Sequence, residues 1–539
     1  MTSAAKSSLA LLGGLVLLPT LNLLPIILAG QPHAATAAAL TLVFLGVVAT
    51  SARLRVPWLP AITHGWPLWL ALSIQIIITL LVTFAYQALP DVDPYHWVKA
   101  YVHVFRSEPI DLSLHRILFH SLIHILEMIT PFTPEQIFKF VLPQLSSTSL
   151  IPLWLIARDE KSRLAQLSIL SLPLWSPSLL LSLTMGTPQA VLLIIVTTCV
   201  ALLLHAYRTK DLRWHYLAGL VFALSSLYHG LALVLFGLWL AGTAIATRWR
   251  YPAALLLVLT AILSGSYVLQ RIPQALGNVG LNLTFPASFV TIDGEPNGWP
   301  GPVETFKYYA FYAGLVFPLL ALVAISTMRS RSASRLYSIL RHPSTATLGL
   351  SLVFFLVLAE ILPRFFNIVV LPERAWLLIV VFSVPAYLYL LRQGTFTHSL
   401  PLLTIALALV NLTGALYVNQ LKQHALPDHA IHAARWMDQN IPVNATVYAN
   451  HGPDYLDVYM QQTIRRLPAD FFCQAQPQLP TTDQPAYLFY YPDDPRSPYY
   501  NRPWQDPAAP LCTAATIQAH PQRFPEIYRQ DAAYVWEIK

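Results

Sequence analysis

Apolar runs of about 18 residues or more recur along the first 420 positions, and each is long enough to cross a hydrocarbon core of about 30 Å. They fall near 9–29, 34–50, 67–86, 136–157, 164–182, 189–207, 214–229, 230–246, 252–269, 308–328, 345–362, 375–391 and 399–419, about thirteen in all. No soluble core accommodates so many. Charged residues make up 11% of the chain, against about 25% in a soluble domain. The sequence therefore predicts a polytopic α-helical membrane protein.

The formal charge of +7 does not point to nucleic acid, because the basic residues are spread over short loops between apolar runs. Arg53/Arg55, Arg158/Lys161/Arg163, Arg208/Lys210/Arg213, Arg248/Arg250, Arg329/Arg331/Arg335/Arg341 and Arg392 all fall on the side of Lys6. The positive-inside rule makes that side the cytoplasm. The N-terminal run near 9–29 has no small-residue cleavage site and reads as an uncleaved first span. An odd number of spans then places the tail outside a cell membrane. Residues 112–130 are apolar but carry His115, Arg116, His120, His124 and Glu127. Counting them as a span would invert every later loop, so they are expected to form an amphipathic helix at the outer interface; the alternative is a polar transmembrane helix inside the bundle.

Three parts follow: an N-terminal transmembrane hairpin at 1–65, a transmembrane domain at 66–420 with long outer loops at 87–135 and 270–307, and an extracytoplasmic α/β domain at 421–539. In the tail, a helical pattern around Ala430–Met437 precedes strand-like segments at Ala445–Asn450, Ala486–Tyr491 and Tyr534–Ile538. Of the three cysteines, Cys199 lies within an apolar run, whereas Cys473 and Cys512 lie in the tail, where the compartment permits a disulfide.

The first long loop opens with Asp91-Val-Asp93-Pro-Tyr95-His96-Trp97. Two carboxylates at a membrane edge can deprotonate an acceptor hydroxyl or hold a divalent cation such as Mg or Mn; an ordinary solvated loop with an aromatic belt has the same composition. Arg374, in Pro372-Glu-Arg-Ala-Trp376, stands at the outer mouth of a late span. A guanidinium there suits a lipid phosphate, snorkels to headgroups or pairs with Glu373. Arg364 competes for the same role. Glu360, near a span end, reads either as a site residue or as the partner of Arg364. His96 and His229 are candidate site-lining residues, His229 alternatively serving its own tight turn. Asp293 and Glu295, with Glu304, read either as an acceptor-side lid hinged on Gly294, Gly298 and Gly301 or as a plain solvated loop. His120, His124 and Glu127 share a helical face at zinc-like spacing, but without a Glu beside the first His they equally describe a polar stripe. No metal site is assigned.

The loop motif resembles the first outer-loop motif of oligosaccharyltransferase catalytic subunits, members of the GT-C superfamily of polyprenyl-phosphate-dependent glycosyltransferases. The resemblance continues in order through Ile129-Thr-Pro-Phe132, Ser146-Ser-Thr-Ser-Leu-Ile-Pro152, Ala157-Arg-Asp-Glu160 and Thr184-Met-Gly-Thr-Pro188, covering roughly 67–210. It implies a GT-C-like fold, Asp93 as the catalytic carboxylate with Asp91 second, an arginine on the donor phosphate, a lipid-linked sugar donor and a glycan, lipid or protein acceptor. The departures are specific. Thr187-Pro188-Gln189 replaces a second acidic pair, the Trp-Trp-Asp-Tyr-Gly motif is absent, and two extra spans precede the first motif. These point to a separate branch rather than a true oligosaccharyltransferase. A transporter or flippase of lipid-linked glycans is the alternative, and a catalytically inactive GT-C scaffold another. A transporter would place charges near the midplane of paired inverted halves, whereas here they gather at the outer rim.

Overall fold

Proline sets where the helices of this bundle begin. Pro134, Pro177, Pro188 and Pro343 occupy first-turn positions, where the missing N–H would have had no partner anyway. The residue before each one caps the helix. Thr133, Ser176, Thr187 and His342 accept from the backbone N–H groups of Gln136, Leu179, Ala190 and Ser344.

The computed structural model describes residues 13–20, 65–84, 89, 92–105, 116–247, 291–292, 295–296, 302–329, 341–363, 372–392, 399–422, 428–449, 456, 458–467, 471, 484–491 and 515–539. The expected spans at 34–50 and 252–269, most of 9–29, and Asp91, Asp293, Arg364, Cys473 and Cys512 lie outside these residues.

In chain order the helices are α1 (Trp66–Phe84), α2 (Val92–Lys99), α3 (Ile117–Ile129), α4 (Pro134–Ala157), α5 (Arg163–Leu170), α6 (Pro177–Thr184), α7 (Pro188–Thr209), α8 (Leu212–Ser225) and α9 (Gly230–Thr247). A two-residue hairpin, β1 (Thr291–Ile292) and β2 (Glu295–Pro296), precedes α10 (Pro302–Tyr312), α11 (Val316–Arg329), α12 (Pro343–Ile361), α13 (Pro372–Phe382), α14 (Val384–Arg392) and α15 (Ser399–Lys422). Among the described residues six helical stretches are long and apolar enough to cross a membrane: α1, α4, α7, α12, the α13–α14 stretch Arg374–Arg392, and Ser399–Tyr417 within α15.

Burial sorts these helices by position. From Pro188 to Ala206, α7 is buried on every side but one residue, as a central helix requires. By contrast α1 turns Ile77, Leu81 and Phe84 outward while Gln75, Ile78, Thr79 and Val82 face the bundle. An apolar exterior over a partly polar interior is the pattern of a lipid-facing helix.

Two expected spans are not single helices. The run at 164–182 breaks between α5 and α6 at Ser171–Ser176, and the run at 308–328 breaks between α10 and α11 at Ala313–Leu315. The breaks satisfy each other. Ser176 Oγ donates toward the Phe311 and Tyr312 carbonyls at 2.9 and 2.8 Å, and the Leu315 N–H donates to the Trp175 carbonyl at 2.8 Å. The Asn411 amide donates to the Leu174 and Trp175 carbonyls at 3.2 and 2.8 Å. Helix ends leave orphan carbonyls, and a dry bundle tolerates them only when protein groups fill their place. Gly314 sits at φ 51, so close to Trp175 that a Cβ there would collide with its carbonyl.

Four predicted same-side turns meet at one end of the bundle. Arg208 donates to Asp159 at 2.9 Å, to Glu160 at 3.4 Å and to the Ile156 carbonyl at 2.9 Å, while Arg392 reaches Glu160 at 3.1 Å. The Tyr207 and His342 rings touch beside them at 5.4 Å. The α13–α14 stretch runs from Arg392 to Arg374 at the opposite end, as α4 runs from Ala157 to Pro134.

The tail folds as α16 (Asp428–Asn440) against a five-stranded sheet of β3 (Thr446–Ala449), β4 (Thr463–Arg466), β5 (Ala486–Tyr490), β6 (Glu526–Gln530) and β7 (Ala533–Glu537). The order is β4-β3-β5-β7-β6, with β3 parallel to β4 and β5, and β7 antiparallel to β5 and β6. Ala430, Ala433, Ala434 and Met437 form the buried face of α16. A small α/β domain near the C-terminus is what the sequence predicted.

Candidate active site

Asp93 lies in the first turn of α2, where the helix dipole favours a carboxylate. Two residues on, Tyr95 is fully buried. Its hydroxyl accepts the Leu89 N–H at 3.2 Å. That bond ties Leu89 to α2, the helix that carries Asp93. Trp97, Tyr101 and Phe105 continue the buried face, whereas His96 points outward with its ring edge-on to Trp97 at 5.2 Å.

The histidine stripe of α3 turns inward rather than toward an interface. Every residue from Ile117 to Ile125 is buried, His120 and His124 included. His120 stacks against Tyr101 at 6.3 Å and Phe105 at 5.7 Å, and the Arg116 guanidinium lies 4.2 Å over Trp97. Tyr101 donates to Glu127 at 2.5 Å and lies 3.4 Å from His124 Nδ1. At 13 residues, α3 is about 20 Å long, short of a membrane crossing. Among the described residues no three His, Cys, Asp or Glu side chains gather as a metal-binding group.

The loop rests on the start of α4 and on the tail. Thr133 and Gln136 form a reciprocal capping box at 3.0 and 3.3 Å, which fixes the turn carrying Glu135. Tyr459, on the β3–β4 connection, donates to Glu135 at 2.9 Å, and its hydroxyl lies 3.4 Å from that of Tyr95. Arg435 of α16 approaches Glu135 at 3.7 Å and stands 5.2 Å over the Tyr459 ring. Burial pushes the Tyr95 and Tyr459 hydroxyls well above the ordinary tyrosine range, so both stay protonated.

The second motif loop comes to the same place. Gly186 packs so tightly on the Phe138 carbonyl that any side chain would displace α4. Thr187, standing where the resemblance has an acidic pair, caps α7 at 3.3 Å.

The remaining candidates separate into the engaged and the unengaged. Glu360, in a π-helical turn at the end of α12, accepts from Tyr309 at 2.7 Å, and the Tyr309 ring meets Trp376 edge-on at 5.8 Å. His229 is buried and accepts the Leu231 N–H at 3.2 Å within its own turn. Glu295 falls in β2. Arg374, two residues before Trp376, is half-buried in the first turn of α13. It has no hydrogen bond or ion pair with any described residue. Asp93 and Arg374 therefore both belong to the end of the bundle opposite the Arg208–Glu160 network.

Sequence reasoning missed Tyr95, Glu135, Arg435 and Tyr459. Thr133-Pro-Glu-Gln136 was a legible helix start; the tail residues that reach it have no local signature.

No family model and no curated protein matches the chain. The structure is similar to the crystal structure of ArnT from Cupriavidus metallidurans in the apo state, at 14% sequence identity and a TM-score of 0.49, covering 88% of this chain and 98% of that chain.

Proposed function

We propose that this chain is a membrane glycosyltransferase of the GT-C type, moving a sugar or glycan from a polyprenyl-phosphate-linked donor to an extracytoplasmic acceptor. The observation that carries the reading is Arg374, a half-buried guanidinium with no described anionic partner, at the same end of the bundle as the Asp93 helix. The motif order across 67–210 supports the same class. The basic turns at Arg158, Arg208 and Arg392 share one end, in keeping with a cytoplasmic N-terminus and an extracytoplasmic tail.

In this reading Asp93 accepts the proton of the acceptor hydroxyl as its oxygen bonds to the anomeric carbon. The bond from that carbon to the phosphate oxygen breaks, and the lipid phosphate leaves with the electron pair. Arg374 holds the phosphate bidentately in dry surroundings as its charge grows. Arg364 is a second phosphate contact, and Asp293 and Glu295 belong to an acceptor-side lid.

The test uses protein in lipid nanodiscs, offered undecaprenyl-phosphate and undecaprenyl-diphosphate sugars and followed by mass spectrometry. The reading predicts release or transfer of sugar from at least one donor. Arg374→Ala should raise the KM for that donor about tenfold or more, the loss expected for a charge-assisted contact of about 1.5–3 kcal/mol. Tight donor binding without turnover would favour the transporter or the inactive scaffold.

A further inference from the structure

Trp376, near the start of α13, is 2% exposed, and its indole N–H has no hydrogen-bond partner among the described residues. A buried N–H without an acceptor is destabilising, so its retention calls for an oxygen that the chain does not itself supply. Tyr309 connects this indole to a carboxylate. Its ring meets Trp376 edge-on at 5.8 Å and 88°, and its hydroxyl donates to Glu360 at 2.7 Å. Glu360 lies in the π-helical turn Val357–Ile361, a distortion that recurs at functional sites. A carboxylate has about four lone-pair sites, so the Tyr309 bond leaves capacity for a further donor. The surroundings are aromatic, with Phe317 at 5.2 Å and Tyr308 at 5.4 Å from the Tyr309 ring.

The groups present select the ligand. A phosphate beside Glu360 would meet like charge and be refused. A metal ion would need more ligands, and among the described residues no three His, Cys, Asp or Glu side chains gather. A neutral molecule fits, with an apolar face for the rings and hydroxyls for the indole and the carboxylate. Those are the properties of a sugar. Arg374, two residues earlier in α13, is the guanidinium assigned to the donor phosphate, and a sugar phosphate carries both groups directly linked. We infer that Trp376 and Glu360 recognise the sugar of the lipid-linked donor. The indole donates to one of its oxygens, the carboxylate accepts from one of its hydroxyls, and Tyr309 is a positioning residue that holds Glu360. The inference rests on the transferase reading for the identity of the ligand, but sugar selectivity is measured as binding, without turnover.

The test is equilibrium binding to the full-length protein in nanodiscs. The probes are undecaprenyl phosphate, its glucose, mannose and galactose esters, and monodeoxy analogues of the ester bound most tightly. The sugar should raise affinity over undecaprenyl phosphate about tenfold or more, and at least one monodeoxy analogue should lose about tenfold. Trp376→Phe keeps a ring and removes the N–H; Glu360→Gln keeps the shape and removes the charge. Each should bring the parent ester and one such analogue within about threefold of each other. Arg374→Ala should weaken every probe by a similar factor and leave that ratio within about twofold. Glu360→Gln carries the test should Trp376→Phe fail to fold. Wild-type selectivity retained in both variants overturns the inference, even where Trp376→Phe lowers the thermal midpoint, because the contact is then structural. So does equal wild-type affinity with and without the sugar. Selective binding in a protein that turns over no donor keeps the sugar site and sinks the transferase reading, whereas turnover with flat selectivity does the reverse.

Discussion

A half-buried arginine at a helix start keeps part of its hydration while its guanidinium can still receive an anion through charge-assisted hydrogen bonds. Arg374 is in that state, whereas Glu360 nearby is engaged by Tyr309. The pair of buried tyrosines makes a separate residue-level claim. Burial holds both hydroxyls protonated beyond the pH at which a tyrosine in water ionises, about 10. A raised folded-state pKa contributes stability fully present below the unfolded value and lost as pH climbs past it. The tail-to-loop contact should thus be insensitive between about pH 6 and 9 on account of these groups, and weaken only above about pH 10. Tyrosinate absorbance of wild type and the Tyr95→Phe/Tyr459→Phe double variant should coincide up to about pH 10 and diverge only above it. Divergence below that point would show the hydroxyls to be solvated.

Among the elements, the paired breaks at Ser171–Ser176 and Ala313–Leu315 are where polar backbone is deepest among apolar neighbours. Replacing Asn411 with Leu removes the donor to the Leu174 carbonyl and one of two donors to the Trp175 carbonyl, so unfolding should become easier by about 1–3 kcal/mol. Thermal unfolding in detergent, compared with Asn411→Gln, reads this directly; an unchanged midpoint in Asn411→Leu would mean that water already serves those carbonyls. These breaks also mark the limit of what hydropathy can tell. The runs at 67–86, 136–157, 189–207, 345–362, 375–391 and 399–419 each correspond to a continuous or nearly continuous crossing stretch. The runs at 164–182 and 308–328 look the same on average hydropathy, although Pro173, Pro177 and Gly314 stand within them. What makes those residues into breaks is the partner element across the bundle, which no local window contains. The same reasoning applies to α3. Its histidine period was legible, but a polar stripe faces water or aromatic rings with equal regularity, and Tyr101 and Phe105 lie on another helix.

For the whole molecule, the gathering of basic turns at one end was the most readable property and the reach of the tail the least. Arginines in alternating short loops foretold that the turns at 158–163, 208–213 and 392 would share an end, and Arg208, Glu160 and Arg392 do meet there. The reach of Tyr459 to Glu135 spans 324 positions and joins a polar tail to a membrane bundle; composition separates those two parts rather than joining them. At the end opposite the basic turns lie the Asp93 helix, the Gly186 loop, Arg374 and the tail. The central claim is that this end performs glycosyl transfer with Asp93 as base. Its most direct test is a single-turnover measurement on protein saturated with the undecaprenyl-linked sugar that the donor screen identifies. Asp93→Asn should retain the bound donor and lose the transfer step by about a thousandfold, within the range of general-base loss once positioning is added. Transfer at the wild-type rate in Asp93→Asn would contradict the account.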